Sequence, residues 1–584
     1  MSGWKERMDQ ARGLAEVDLV LRRARLVNVF SGEVHSTDIG IHNGQFVGIG
    51  SYTKAVHELD LDGRYVVPGL IDGHVHIESS QLCPEEFCSL LLAHGVTSAV
   101  VDPHEIANVL GVKGIRYMLD SLEPLPFNAF VVLPSCVPAT ELETSGARLG
   151  AEELREFVGH PQVIGLGEVM DYQSVIEGKA DMVDKLELPL PLKDGHAPGI
   201  SGEDLNAYFR AGIRTEHECT TPAEARERLR RGFNLMLREG SAAKNLLDLL
   251  PAVNNGNAHR CLFVTDDRHP ADLLNEGSID HLVRLAIKAG QPPVRAVQMS
   301  TINAAHALGL PRLGAVAPGY QADFLILSDL ESFQIEDVYW QGQKMSSKGK
   351  RPSFLHASTQ GLTESVNIGK WDQVKLEVKV PPGPAETKGF TQGQARSKVR
   401  VIGVQAHSLV TSALVAELPL VNGCIVPDPE QDIAKIAVLE RHHATGGVGV
   451  GFIKGLGLKK GAVASTVAHD SHNLMVAGMS DQEMDLAIRT VVKMGGGLCL
   501  IEGEKVIGKL PLPFAGLMTD KSPEEVAEQL SYLHAQGHAL GMSPDIDPFM
   551  TLAFMSLPVI PELKITDLGL VDVEKLSITK VFVD

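Results

Sequence analysis

The spacing of apolar and polar positions changes character along the chain. From 17 to 66, "VDLVLRRARLVNVFSGEVHSTDIGIHNGQFVGIG" alternates in short stretches broken by "SGE" and "NGQ", the texture of half-buried strands joined by turns. The same texture returns in "GYQADFLILSDL" and "DVYWQGQKM", within 319–345. These flanking blocks are expected to pair into one small β-sandwich domain. Between them, short apolar runs predict strands at 70–76, 96–101, 128–133, 163–167, 192–196, 213–217, 233–238 and 261–265. "PEEFCSLLLAHG", "SGEDLNAYFRAG", "TPAEARERLRRG" and "DHLVRLAIKAG" lie among them and read as helices. Several open on Ser, Thr or Pro and close on Gly, as helix termini require. Eight such units in about 230 residues predict an α/β fold, a (β/α)8 barrel of the triosephosphate-isomerase type.

The expected organisation is 1–66 as the first part of the small β-domain, 67–311 as the barrel and 312–345 as the return of the β-domain. Residues 346–396, with "SSKGKRPS", "VPPGPAETKG" and "TQGQARSK", read as a linker or crossing segment. Residues 397–584 mix Gly-rich strands with helices such as "SDQEMDLAIRTVVKMGGG" and read as an α+β domain.

Composition narrows the function by exclusion. With 53 basic against 73 acidic residues the net charge is −20, a field that repels phosphate backbones, so neither nucleic acid nor an anionic membrane is expected as partner. The opening residues lack a secretory pattern and no apolar run reaches about 18 residues, so a cytoplasmic location is expected. The seven cysteines are scattered, with no C-x-x-C, which suggests neither a disulfide framework nor a zinc finger.

The candidate chemistry sits at the strand ends, where barrels of this kind place their sites. In "VVPGLIDGHVHIESS", His74 and His76 are two apart, so a strand projects both to one face. Glu168 follows "VIGLG", His196 lies in "KDGHAPG", His217 in "RTEHECTT" and Asp266 in "LFVTDDRHP". A single strand-end histidine is more often a hydrogen-bonded core residue than a ligand, and Glu168 or Asp266 alone could serve a helix N-terminus. Together they are the metal-ligand types His, Glu and Asp converging from five strands. They exceed the usual three protein ligands of one catalytic ion. They suit two divalent ions about 3.5–4 Å apart sharing a carboxylate, an arrangement that makes water a strong nucleophile at neutral pH. Glu168 is the expected bridge, with His74, His76 and Asp266 completing one ion and His196 and His217 the other. Nitrogen and oxygen donors admit Mn, Fe or Zn.

Longer segments carry a resemblance. "PGLIDGHVHIE" with a late "TDD" is similar to the amidohydrolase superfamily. "VDPHEIANV", "KDGHAPGISG", "EHECTT", "LREGSAAKN" and "TDDRHPADLL", with "KGAVASTVAHDSHN" and "LPLPFAGLM" further on, resemble bacterial-type adenine deaminases. The resemblance runs from about residue 17 nearly to the end, and Glu168 stands where many superfamily members carry a modified lysine. It implies hydrolysis of adenine to hypoxanthine and ammonia in purine salvage, Mn or Fe as the favoured metals, and a homo-oligomer, dimer or tetramer. The alternative is an amidohydrolase acting on another purine or a cyclic amide. Asp266 is expected as general base and then acid, and Asp267 is the competing ligand in "TDD". Glu105, ahead of Asp102 and His104 in "DPHEIAN", is expected to protonate the ring nitrogen. Arg238, Glu239 and Ser241 in "LREGS" are candidates for reading the purine edge; structural ion pairing is the competing explanation. His469 and His472 in "AHDSHN" would share a face on a helix; otherwise they belong to a packing loop. The Gly clusters lack a Walker pattern, and the H-x-E with P-C-x-x-C deaminase signature is absent.

Overall fold

The computed structural model describes residues 2–370, 375–380, 395–405 and 408–583. The chain divides into two compact units, one made of Met1–Pro103, Tyr117–Ser135 and Gly150–Ala357, the other of His104–Arg116, Cys136–Leu149 and Ser358–Asp584.

The first unit carries eight parallel strands: β1 (Leu70–Val75), β2 (Val96–Val101), β3 (Asn128–Leu133), β4 (Val163–Val169), β5 (Leu192–Gly195), β6 (Thr215–Glu216), β7 (Asn234–Arg238) and β8 (Cys261–Val264). They form a five-stranded sheet in the order β5-β4-β3-β2-β1 and a three-stranded sheet β6-β7-β8. Every residue of β1, β2 and β8 is buried, as in parallel strands covered on both faces; β8 is wholly apolar, while β1 and β2 also bury Asp72, His74, Thr97 and Ser98. Ile71, Val100, Val132, Leu192, Met236 and Leu262, one from each of six strands, meet in a single apolar cluster capped by Leu308 and Leu310. Each such side chain contributes about 2 kcal/mol on burial. The helix Pro222–Arg231 shows how the connections are punctuated. Thr221 and Glu224 form a reciprocal cap at its start, and Gly232 closes it at φ +91°.

The two flanks pair in one sheet. Phe324–Asp329 pairs antiparallel with Tyr65–Pro68, which in turn lies parallel to Val17–Asn28, in one eight-stranded sheet. Its core includes Leu26, Ile39, Phe46, Val66, Phe324 and Tyr339.

The second unit is α+β. A ten-stranded sheet runs from Val378–Lys379 at one edge to Lys505–Pro511 at the other, with the helix Asp481–Lys493 packed against its core. His469 and His472 lie in a turn between the strands Ala462–Ser465 and Leu474–Gly478, not on a helix. Residues 371–374 and 381–394 of the expected crossing segment lie outside the described residues. No helix among the described residues is long and apolar enough to cross a membrane.

Candidate metal centre

His74 sits within β1, and His76 follows directly after it. Their Nε2 atoms face each other at 3.1 Å. Each ring is anchored from behind. His74 Nδ1 donates to Asp194 Oδ2 at 2.7 Å, and His76 Nδ1 donates to the Asp102 carbonyl at 3.0 Å. A carbonyl can only accept and Asp194 is ionised, so the ring hydrogens point outward and two Nε2 lone pairs point inward. Two lone pairs at that distance repel unless a positive charge lies between them. Two nitrogens on one tetrahedral ion, with bonds of about 2.0–2.1 Å, stand about 3.3 Å apart. The observed spacing therefore suits a shared cation.

The carboxylates close in on the same point. Asp266 Oδ1 lies 3.1 Å from His76 Nε2 and 3.6 Å from His74 Nε2. Asp266 has a left-handed backbone, φ +59°, held by its N–H donating to the His74 carbonyl at 3.0 Å and by its own carbonyl accepting from His76 N at 3.3 Å. Such a conformation costs about 1–3 kcal/mol in a non-glycine residue. Here it turns the chain at the strand end so that the side chain faces the histidines. Asp267 accepts from Ser79 Oγ at 2.5 Å and also comes near His76.

Glu168 stands between the two halves. Its Oε1 is 3.4 Å from His76 Nε2, while Oε2 is 2.7 Å from His196 Nδ1 and 3.3 Å from His217 Nε2. One oxygen thus faces the H-x-H pair and the other faces the second pair. The backbone behind it is pinned twice: its N–H donates to Asp102 Oδ2 at 2.9 Å, and its carbonyl accepts from Ser135 Oγ at 2.5 Å. Burial disfavours the charge on Glu168, yet the surrounding imidazoles hold its carboxyl well below the usual range. Burial likewise opposes charge on His74 and His76, and Asp194 and Asp266 overcome it, pushing both imidazoles well above their ordinary value. The pocket is short of positive charge, a need that divalent cations meet as well as protons do. All six predicted ligands converge, and the donor set fits the metals it implies.

Two acidic residues of this pocket were not foreseen. Asp194 backs His74. Glu218 Oε1 lies 3.7 Å from His196 Nδ1 and 3.6 Å from His217 Nε2, and pairs closely with Arg238 Nη1. The same guanidinium nitrogen donates to Asp266 Oδ2 at 2.9 Å. The signal available was position alone: Asp194 and Glu218 stand two before and one after a ligand histidine. Among the remaining candidates, Glu239 Oε2 accepts from Leu246 N at 3.3 Å, and Ser241 Oγ donates to Asp272 at 2.5 Å.

Glu105 and His104 belong to the second unit. There Glu105 lies 3.8 Å from His469 Nδ1 and 3.7 Å from His472 Nε2, and His104 Nε2 is 3.9 Å from Asp470. Glu105, His469 and His472 have the composition of a metal site. The tautomer argues otherwise. His472 Nδ1 accepts the Ala468 N–H at 3.1 Å, so the neutral ring carries its hydrogen on Nε2, the atom facing Glu105. A ring with its hydrogen on that nitrogen offers no lone pair on the Glu105 side, which argues against His472 as a ligand there.

With this geometry in place, the comparisons with known proteins can be read. The amidohydrolase family matches residues 65–345, which contain all six ligand candidates, and the adenine deaminase C-terminal domain matches 408–577. The class is therefore amidohydrolase. The chain is 51% identical over 580 residues to adenine deaminase 2 of Carboxydothermus hydrogenoformans, covering 99% of each chain. It is 47% identical to an adenine deaminase of Nitratidesulfovibrio vulgaris over 98% of each, and 45% identical to one of Listeria monocytogenes over 97% of each. The chain belongs to the adenine deaminase family.

Proposed function

We propose that this protein hydrolyses adenine to hypoxanthine and ammonia at a binuclear metal centre. The observation that carries the substrate is the end-to-end likeness to curated adenine deaminases. The metal reading is supported by the inward-facing Nε2 pair and by Glu168 reaching both histidine pairs. We further propose that the eight strands close as a (β/α)8 barrel. Arg214 N, just before β6, donates to Lys193 O in β5 at 3.2 Å, and Asp266 N, just past β8, donates to His74 O in β1 at 3.0 Å, which supports closure.

Two divalent cations, held by His74, His76 and Asp266 and by His196 and His217 with Glu168 between, would supply the charge that makes water nucleophilic at neutral pH. The chain's own residues do the rest. Asp266 stands over the pocket with Oδ2 fixed by Arg238, placed to accept a proton from the attacking water and return it to the departing amine. As C6 loses aromaticity, N1 needs a proton. The sequence suggests Glu105 as its donor, while Asp102 spends one oxygen on the backbone of Glu168. The C6–N bond breaks, the C6 carbonyl forms, and ammonia leaves.

The test is ammonia release from adenine after chelation and reloading with Mn, Fe or Zn, set against guanine, adenosine, dihydroorotate and hydantoin. Adenine should dominate, and activity should rise with two ions per chain. Turnover of a cyclic amide in preference to adenine, or full activity with no metal bound, would overturn the reading.

A further inference from the structure

We infer that Asp194 is the positioning residue on which occupancy of the His74-side ion depends; this rests on the binuclear reading above. Asp194 comes from β5, whereas the ring it holds comes from β1. Asp194, His74 and Thr215 are each no more than 1% exposed, so the string they form is fully removed from water. Asp194 Oδ2 takes the His74 Nδ1 hydrogen at 2.7 Å, while Oδ1 accepts from Thr215 Oγ1 at 2.5 Å and from Gly195 N at 2.9 Å. The carboxylate thus accepts three hydrogen bonds and cannot rotate without breaking them. The strand behind it has no slack: a Cβ on Gly195 would lie 2.4 Å from the Thr215 carbonyl.

The two members of the H-x-H pair are therefore held differently. A neutral backbone carbonyl holds His76, and an ionised side chain holds His74. A carboxylate partner makes imidazole a stronger donor and fixes which nitrogen carries the lone pair. His74's tautomer is consequently written into one replaceable residue.

Asp194→Asn tests this sharply. The Gly195 N–H is an obligate donor, so the amide oxygen must take the place of Oδ1, leaving the amide NH2 opposite His74 Nδ1. Two donors cannot face each other. His74 must move its hydrogen to Nε2 and lose the lone pair it offers the ion. The expected result is one tightly held ion per chain in place of two, with the other weakened about 10–100-fold, in line with losses of such outer partners. Thr215→Val leaves the His74 contact in place and should keep both ions. The readouts are metal content by elemental analysis and affinity by chelator competition, with apo-protein melting checked to confirm that each variant is folded. Two ions of unchanged affinity in folded Asp194→Asn would overturn the inference. Fewer than two ions in the unmutated protein would instead sink the binuclear reading, and Asp194 would then be judged by whether that single ion weakens. If Asp194→Asn does not fold, Asp194→Ala serves: it should lower affinity on the His74 side, and unchanged affinity there refutes the role.

Discussion

Replacing Glu168 by Gln keeps the shape of the side chain and removes its charge. The backbone N–H to Asp102 and the carbonyl to Ser135 are untouched, so the strand end should stay in place. What changes is a carboxylate with one oxygen toward each histidine pair, 3.4 Å from His76 on one side and 2.7 Å from His196 on the other. Removing one charged member of a buried ion cluster costs about 3–5 kcal/mol. At about 1.4 kcal/mol per decade, that is roughly 10² to 4 × 10³ in ion affinity. An amide also offers one acceptor oxygen where the carboxylate offers two, so only one side retains a donor atom. The expected outcome is protein that folds and melts near the parent in the apo state, binds at most one ion with strength, and loses ammonia release from adenine by at least a hundredfold. Chelator competition, metal content and the adenine assay on the same preparation measure all three. Glu168→Gln with two ions of parental affinity and parental turnover would show that the carboxylate bridges nothing.

Other expectations are more local. In Gly167→Ala, the new Cβ would lie 2.2 Å from Asp102 Oδ2; it should displace the carboxylate that holds Glu168 N, cost about 1–3 kcal/mol of stability and depress activity, measurable by urea unfolding beside the adenine assay. In Arg238→Gln, Asp266 and Glu218 lose the cation they share; apo stability should fall by about 3–5 kcal/mol, and a fall under about 0.5 kcal/mol would mean the pair is not coupled. Asp280, outside the candidate metal centre, has its charge disfavoured by burial but is held down to about 2 by His94 at 3.2 Å and Arg284 at 2.7 Å. Because its folded value lies below the unfolded one, its contribution of about 2 kcal/mol is present above pH 4 and lost as pH falls toward 2. Asp280→Asn should therefore destabilise at pH 7, and the gap should narrow at pH 3; an equal gap at both pH values would contradict the assignment.

What could be read from the chain follows from how far each signal reaches. The strands were legible because burial of most of their residues writes itself as a local, mainly apolar run, and β2 and β3 span the predicted residues. The candidate ligands were legible because folds of this class are expected to gather their strand ends on one side, so residues distant in sequence become neighbours by a rule that needs no coordinates. Partners set by side-chain packing were not. Asp194 and Thr215 stand on neighbouring strands, and nothing local to either tells that the carboxylate reaches across to His74. The choice between Asp266 and Asp267 turned on a single left-handed residue, which any short "TDD" can adopt but does not announce. His469 and His472 show the converse. Their spacing left a shared helix face and a packing loop as the two readings; the chain forms a turn, with Glu105 beside both rings. Only the Ala468 N–H reveals that one of these rings is a hydrogen donor. Composition can name the groups that might bind a cation. Which of them present a lone pair is decided by what stands behind each ring, and in this protein that is one carboxylate, one carbonyl and one backbone amide.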